Sequence, residues 1–248
     1  MTDFVVFPAI DMRGGKVVRL RQGDYADETV YGDDPLTVAE SFVADGATWV
    51  HMVDLDAAKG DAAVNRPHIS RVATALNGRA RLQVGGGVRS VADADALAAA
   101  GVARVVMGSA AVRRSELVAE VTGAVGIEVA VGLDHRGGML ATDGWTSTSG
   151  VSLVAALTMY PTASCAVVTD ISRDGMLAGP DLDGLTAAAS VSPMPIIASG
   201  GVATVDDIAR LATIANVSGV ITGKAIYERR FTVAQAIAAA VTAQKGPR

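Results

Sequence analysis

The chain has 248 residues, half of them apolar but only 4% aromatic, a single cysteine and a formal net charge of −5. The negative balance argues against nucleic acid or an anionic membrane as partner, since both recruit basic surfaces. One cysteine allows no intrachain disulfide, no run of about 18 apolar residues offers a membrane span, and the start MTDFVVFPAID lacks the basic region of a signal peptide, so a cytoplasmic protein is expected. Short β-branched runs then recur in chain order at 4–10, 49–54, 81–84, 104–107, 127–133, 166–170, 195–198 and 219–222. Ala- and Leu-rich segments with helical spacing follow them, near 35–45, 66–77, 91–100, 114–122, 151–158, 182–190, 205–213 and 231–243. Strands alternating with helices predict a parallel sheet with crossover helices. Continuous apolar runs such as FVVFPAI suit a sheet covered on both faces. With a length near the roughly 250 residues of such folds, the expectation is an α/β protein, one (β/α)8 TIM barrel over residues 1–248. Residues 14–34 and 136–150, rich in Gly, Ser, Thr and Asp, read as flexible loops.

The two halves of the chain repeat each other. Asp11-Met12-Arg13-Gly14-Gly15 returns as Asp134-His135-Arg136-Gly137-Gly138, and Val53-Asp54-Leu55 as Thr169-Asp170-Ile171. Gly86-Gly87-Val88 returns as Gly200-Gly201-Val202, and Gly108-Ser109-Ala110 as Gly223-Lys224-Ala225. Four matches in order and at similar offsets suggest an internal duplication, with half-barrels at about 1–123 and 124–248.

In this fold the active site lies at the C-terminal ends of the strands. Asp11, Asp134 and Asp170 each close a strand, and Asp174 follows in the next loop. Two carboxylates across a barrel mouth suit proton shuttling, one ionised as base and one protonated as acid. The symmetric pair Asp11 and Asp134 is the leading candidate, while Asp54 and Asp170 read as supports of loop geometry. Gly86, Gly87, Gly108 and Ser109 in one half, and Ser199, Gly200, Gly201, Gly223 and Lys224 in the other, can bring backbone N–H groups close to an anion. Two such sites flanking two carboxylates point to a small-molecule substrate with a phosphate at each end. Trp145, in a loop after the fifth strand, can stack on a planar base. His51, His68 and His135 are scattered, which gives no metal site. His51 reads as a core residue within a strand, and Cys165 as packing.

At these residues the chain resembles the histidine-biosynthetic isomerase family that converts a phosphoribosylformimino-aminoimidazole carboxamide ribonucleotide from aldose to ketose. The carriers include PAIDMRGGKVVRLRQGDY at 8–25, QVGGGVRS at 83–90, VGLD at 131–134, TDISRDGMLAG at 169–179 and GVITGKAIYERRFT at 219–232. The resemblance implies Asp11 as proton acceptor and Asp134 as proton donor, with Asp174 a second candidate acid. It implies Thr169 and Asp174 in the site, Arg19 and Trp145 among the substrate-binding residues, and phosphates on the glycine clusters. No metal or organic cofactor is expected, and a monomer is. Met176 departs from the Thr usual in the family. The cyclase subunit of imidazole glycerol phosphate synthase, which usually carries Lys in place of Arg19, is a more distant match, and a non-catalytic phosphate-binding barrel is the remaining alternative. Some relatives also isomerise phosphoribosyl anthranilate; those tend to carry Ser at Gly85 and Arg shortly before the loop tryptophan. Asp143 stands there in this chain, so little anthranilate activity is expected.

Overall fold

The computed structural model describes residues 4–246. The chain begins with β1 (Val5–Arg13), β2 (Lys16–Arg21), β3 (Asp24–Gly32) and α1 (Pro35–Ala44), then β4 (Trp49–Asp54), α2 (Leu55–Lys59) and α3 (Arg66–Leu76). It continues through β5 (Arg81–Gly85), α4 (Val91–Ala99), β6 (Arg104–Met107), α5 (Ser109–Arg113) and α6 (Glu116–Val125). The second half runs β7 (Glu128–Arg136), β8 (Met139–Thr142), β9 (Ser147–Ser152), α7 (Leu153–Ala156), β10 (Cys165–Asp170) and α8 (Leu182–Val191). It ends with β11 (Ile196–Ser199), α9 (Val205–Leu211), β12 (Val217–Thr222), α10 (Lys224–Tyr227) and α11 (Val233–Lys245).

Eight strands, β1, β4, β5, β6, β7, β10, β11 and β12, pair in parallel, and the pairings of β12 with β1 and of β10 with β7 close the ring. This is the expected (β/α)8 barrel, and all eight strands coincide with the apolar runs of the sequence. Side chains alternate along each strand between the barrel interior and the helix layer. Phe7, Ala9, Trp49, Ala130, Cys165, Val167, Ile197 and Ile221 form an inner cluster. Residues of opposite parity, such as Ile10, Met52, Val84, Val105 and Val131, join the helices in the larger outer core. The helices start where the sequence supplies caps. Ser90 accepts from the Asp93 N–H, and Thr204–Asp207 and Thr232–Gln235 form reciprocal capping boxes. Among the described residues no helix is long and apolar enough to cross a membrane.

The two segments read as flexible loops are instead hairpins. β2 pairs antiparallel with β1 and β3, and β8 with β7 and β9. Their turns are Gly14-Gly15 (φ +55° and +80°) and Gly137-Gly138 (φ +57° and +80°). Two consecutive positive φ values define the tight hairpin turn that a Gly-Gly pair favours. A hairpin therefore rises from the C-terminal end of the first barrel strand, and another from the fifth, on opposite sides of the mouth.

Candidate active site

The alternation that builds the core also decides what reaches the mouth. The uppermost inward position of each barrel strand, or the residue just beyond its end, is Asp11, Val53, Gly85, Gly108, Asp134, Thr169, Ser199 or Gly223, and all eight line one cavity of about 280 Å³. The same cavity is lined by Arg19, Gly86, Gly87, Ser109, Trp145, Asp174, Gly200, Gly201 and Lys224, so every site residue singled out in the sequence comes together there. His51, Tyr25, Arg89 and Thr222 also line it. A histidine inside an apolar strand gives no signal of function until barrel parity is known.

Asp11 and Asp134 stand on strands four places apart in an eight-strand ring, hence on opposite walls. Asp11 Oδ2 accepts from Arg19 Nη1 at 2.8 Å, and the other terminal nitrogen of Arg19 lies 3.7 Å from Asp174. Burial pushes the Asp11 carboxyl above the ordinary carboxylate range; Arg19 opposes this and Asp174 adds to it. Asp134 is raised as well, again by burial first, with the hydrogen bonds of Trp145 and Thr169 opposing. The Trp145 indole Nε1–H donates to Asp134 Oδ2 at 2.8 Å. The two acids thus sit in different company: Asp11 faces a full positive charge, while the hydrogen bonds to Asp134 come from neutral donors.

Trp145 lies in the turn between β8 and β9 at φ +72°. A Cβ on Gly23, in the turn between β2 and β3, would lie 2.5 Å from its ring, so the β2–β3 and β8–β9 turns meet over the cavity. Gln22 ties the β2–β3 turn to the β10–α8 loop through the Ser172 carbonyl at 3.1 Å. Asp143 pairs with Arg113, and its N–H donates to Ser109 Oγ at 3.0 Å, which pins the β8–β9 turn to α5.

The glycine clusters serve structure first. A Cβ on Gly86 would lie 2.2 Å from the Asp54 carbonyl oxygen, and one on Gly200 would lie 2.9 Å from that of Asp170. Each cluster therefore packs its backbone directly on the end of the preceding strand. Beside them α5 and α10 follow Gly108 and Gly223 without a capping side-chain hydrogen bond, and Gly108, Ser109, Gly223 and Lys224 all line the cavity. Lys224 Nζ reaches the Gly175 carbonyl at 2.7 Å. Asp54 and Asp170 act as the expected supports. Asp54 accepts from Ala57 N and from Asn65 Nδ2, and Asp170 accepts from Ser172 and pairs with Arg173. Cys165 is buried, and burial pushes its thiol up, away from nucleophilic use.

The model of the histidine biosynthesis protein family matches residues 5–232. The chain belongs to this family. A relative from Bacillus velezensis is 45% identical over 242 residues, covering 96% of this chain and 98% of its own. One from Shouchella clausii is 44% identical over 238 residues (95% and 98%), and one from Bacillus subtilis 43% over 241 (96% and 98%). All three carry the name 1-(5-phosphoribosyl)-5-((5-phosphoribosylamino)methylideneamino)imidazole-4-carboxamide isomerase. Two carboxylates on opposite walls are thus the geometry of this member of the histidine biosynthesis family.

Proposed function

We propose that this chain is the isomerase its relatives are named for, and that it converts the bis-phosphorylated aminoaldose to the aminoketose by an Amadori rearrangement. The observation that carries the reading is the opposed pair Asp11 and Asp134 in one cavity, each with a raised carboxyl pKa and each with different partners. Asp134, with neutral donors only, is the better proton carrier and serves as acid. It protonates the ring oxygen; the C1–O bond breaks and the nitrogen lone pair forms the iminium. Asp11, kept ionised by Arg19, then removes the C2 proton, and its electron pair forms the C1–C2 double bond as the iminium is neutralised. Protonation at C1 and loss of the C2 hydroxyl proton give the ketose. Asp174, 3.7 Å from Arg19, is placed to share the proton traffic. Positioned proton transfer contributes typically about 10²–10⁴-fold. The two uncapped helix starts and their glycine clusters hold the phosphates at either end, which fixes C1 and C2 between the carboxylates.

Asp143, read in the sequence as disfavouring an anthranilate carboxylate, is paired with Arg113 and does not line the cavity, so it carries no argument about substrate breadth. The deciding experiment is a spectrophotometric assay of purified protein with the bis-phosphorylated aldose. Conversion to the ketose is expected, and the absence of turnover by folded protein overturns the reading.

A further inference from the structure

A row of four polar residues crosses the apolar interior of the barrel. Register pairs His51 of β4 with Gln83 of β5, Gln83 with Arg104 of β6, and Arg104 with Glu128 of β7. All four fall on inward positions. Because barrel strands are tilted to the axis, a row that follows the register runs from the cavity at His51 down to the opposite end of the barrel. Gln83 is fully buried and Arg104 nearly so, whereas Glu128 reaches the surface. Such a row replaces the branched apolar residues that usually fill barrel layers, and it is tolerated because each member is hydrogen-bonded.

The direction of each hydrogen bond follows from chemistry. Arg104 Nε and Nη2 donate to Glu128 Oε2 at 2.9 and 2.7 Å, and the guanidinium lies over the Trp49 ring at 4.3 Å, which holds it in place. Its Nη1 is 3.1 Å from Gln83 Oε1. A guanidinium only donates, so the atom it meets on Gln83 is the carbonyl oxygen, and the amide NH₂ is turned the other way. That NH₂ is 3.0 Å from His51 Nδ1. An amide nitrogen also only donates, so Nδ1 presents its lone pair. Burial, with Arg19 nearby, depresses the imidazole to about 3, which keeps the ring neutral. A neutral ring with a bare Nδ1 carries its proton on Nε2. No hydrogen bond engages Nε2 among the described residues, and His51 lines the cavity.

We infer that Gln83 is a positioning residue: anchored by Arg104 and Glu128, it fixes His51 as the Nε2–H tautomer and so supplies the cavity with a hydrogen-bond donor from its floor. What the donor serves rests on the isomerase reading, in which a sugar oxygen gains carbonyl character as the enolamine collapses. The tautomer itself does not depend on that reading.

Long-range proton–nitrogen NMR of substrate-free protein reads the tautomer directly. The chain has three histidines, so the His51 ring is assigned by elimination with His68→Gln and His135→Gln proteins. The expected spectrum has an unprotonated Nδ1 and a protonated Nε2 for His51; a proton on Nδ1, or an even mixture, overturns the inference. Gln83→Glu replaces the donor by an acceptor and should move the proton to Nδ1. Its kcat should fall about tenfold, the weight of one hydrogen bond, with KM little changed. Unchanged His51 signals in that variant, or an unchanged kcat, overturn the role of Gln83. Gln83→Met, which neither donates nor accepts strongly, should give mixed tautomers in folded protein; a single Nε2–H form there also overturns it. A wild-type protein without isomerase activity would sink the isomerase reading while leaving the spectrum to decide the tautomer.

Discussion

The difference between the two central aspartates lies in what each one touches. Asp11 shares a hydrogen bond with a largely buried arginine, so Asp11→Asn should leave the fold intact and lower kcat by roughly 10² or more, because the proposed proton acceptor is lost while both proposed phosphate anchors remain. Steady-state kinetics beside a circular dichroism spectrum checks this, and near-normal turnover would remove Asp11 from the chemistry. Asp134 allows a stability test that needs no substrate. Burial raises its carboxyl, so the folded chain keeps that proton to higher pH than the unfolded chain does. The stability gained by holding the proton is full below the ordinary value of 3.8 and is lost as pH rises through the folded value. Asparagine cannot ionise, and its oxygen can still accept from Trp145 while its NH₂ donates to Thr169. Asp134→Asn should therefore melt higher than wild type at pH 7, by about 2–4 °C for each 1 kcal/mol recovered in a chain of this size, and show no such advantage at a pH below 3.8. A lower Tm at pH 7 would show that the carboxylate is stabilised rather than strained there.

Among the elements, the barrel strands were legible because each is buried on both faces and reads as a continuous apolar run. The hairpins were not, because β3 and β9 are largely exposed and polar, so composition suggested loops. Their signal was nevertheless present in the Gly-Gly turns. The same duality holds for the glycine clusters, whose sequence suggested anion binding and whose backbones turn out to be packed against a neighbouring strand end. This separates two kinds of glycine by their tolerance of a methyl group. Gly137 has a positive φ but open space around its would-be Cβ, so Gly137→Ala should cost about 1–2 kcal/mol from backbone conformation alone. Gly86 has φ +91° and a Cβ there would strike the Asp54 backbone, so Gly86→Ala adds an overpacking cost of about 1–3 kcal/mol. Urea unfolding of both variants should place Gly86→Ala well below Gly137→Ala, and equal losses would show that the β5 loop yields freely.

For the whole molecule, the barrel puts the two carboxylates and the glycine clusters on different parts of one rim, a division the sequence suggested through its repeated motifs. What it could not reveal was the inward row beneath the rim, because His51, Gln83 and Arg104 lie far apart in the chain and meet only through strand register. The rim arrangement makes its own prediction. If the proposed anchors beside α5 and α10 hold the phosphates, each phosphate restrains a different end of the substrate, and neither group reacts. Binding energy from such remote groups is expressed mainly as orientation at C1 and C2, so losing one phosphate should depress kcat as well as raise KM. A mono-phosphorylated analogue that keeps the reacting sugar should show kcat/KM lower by about 10² or more, equivalent to roughly 2.7 kcal/mol of transition-state binding. Inorganic phosphate added to that reaction should restore part of kcat, because the vacated anchor can hold the free anion and recover some of the alignment at C1 and C2. Sulfate should act similarly, and chloride at equal ionic strength should not. An analogue that differs from the full substrate only in KM, with no rescue by phosphate, would show that the second anchor merely captures the substrate and takes no part in aligning it.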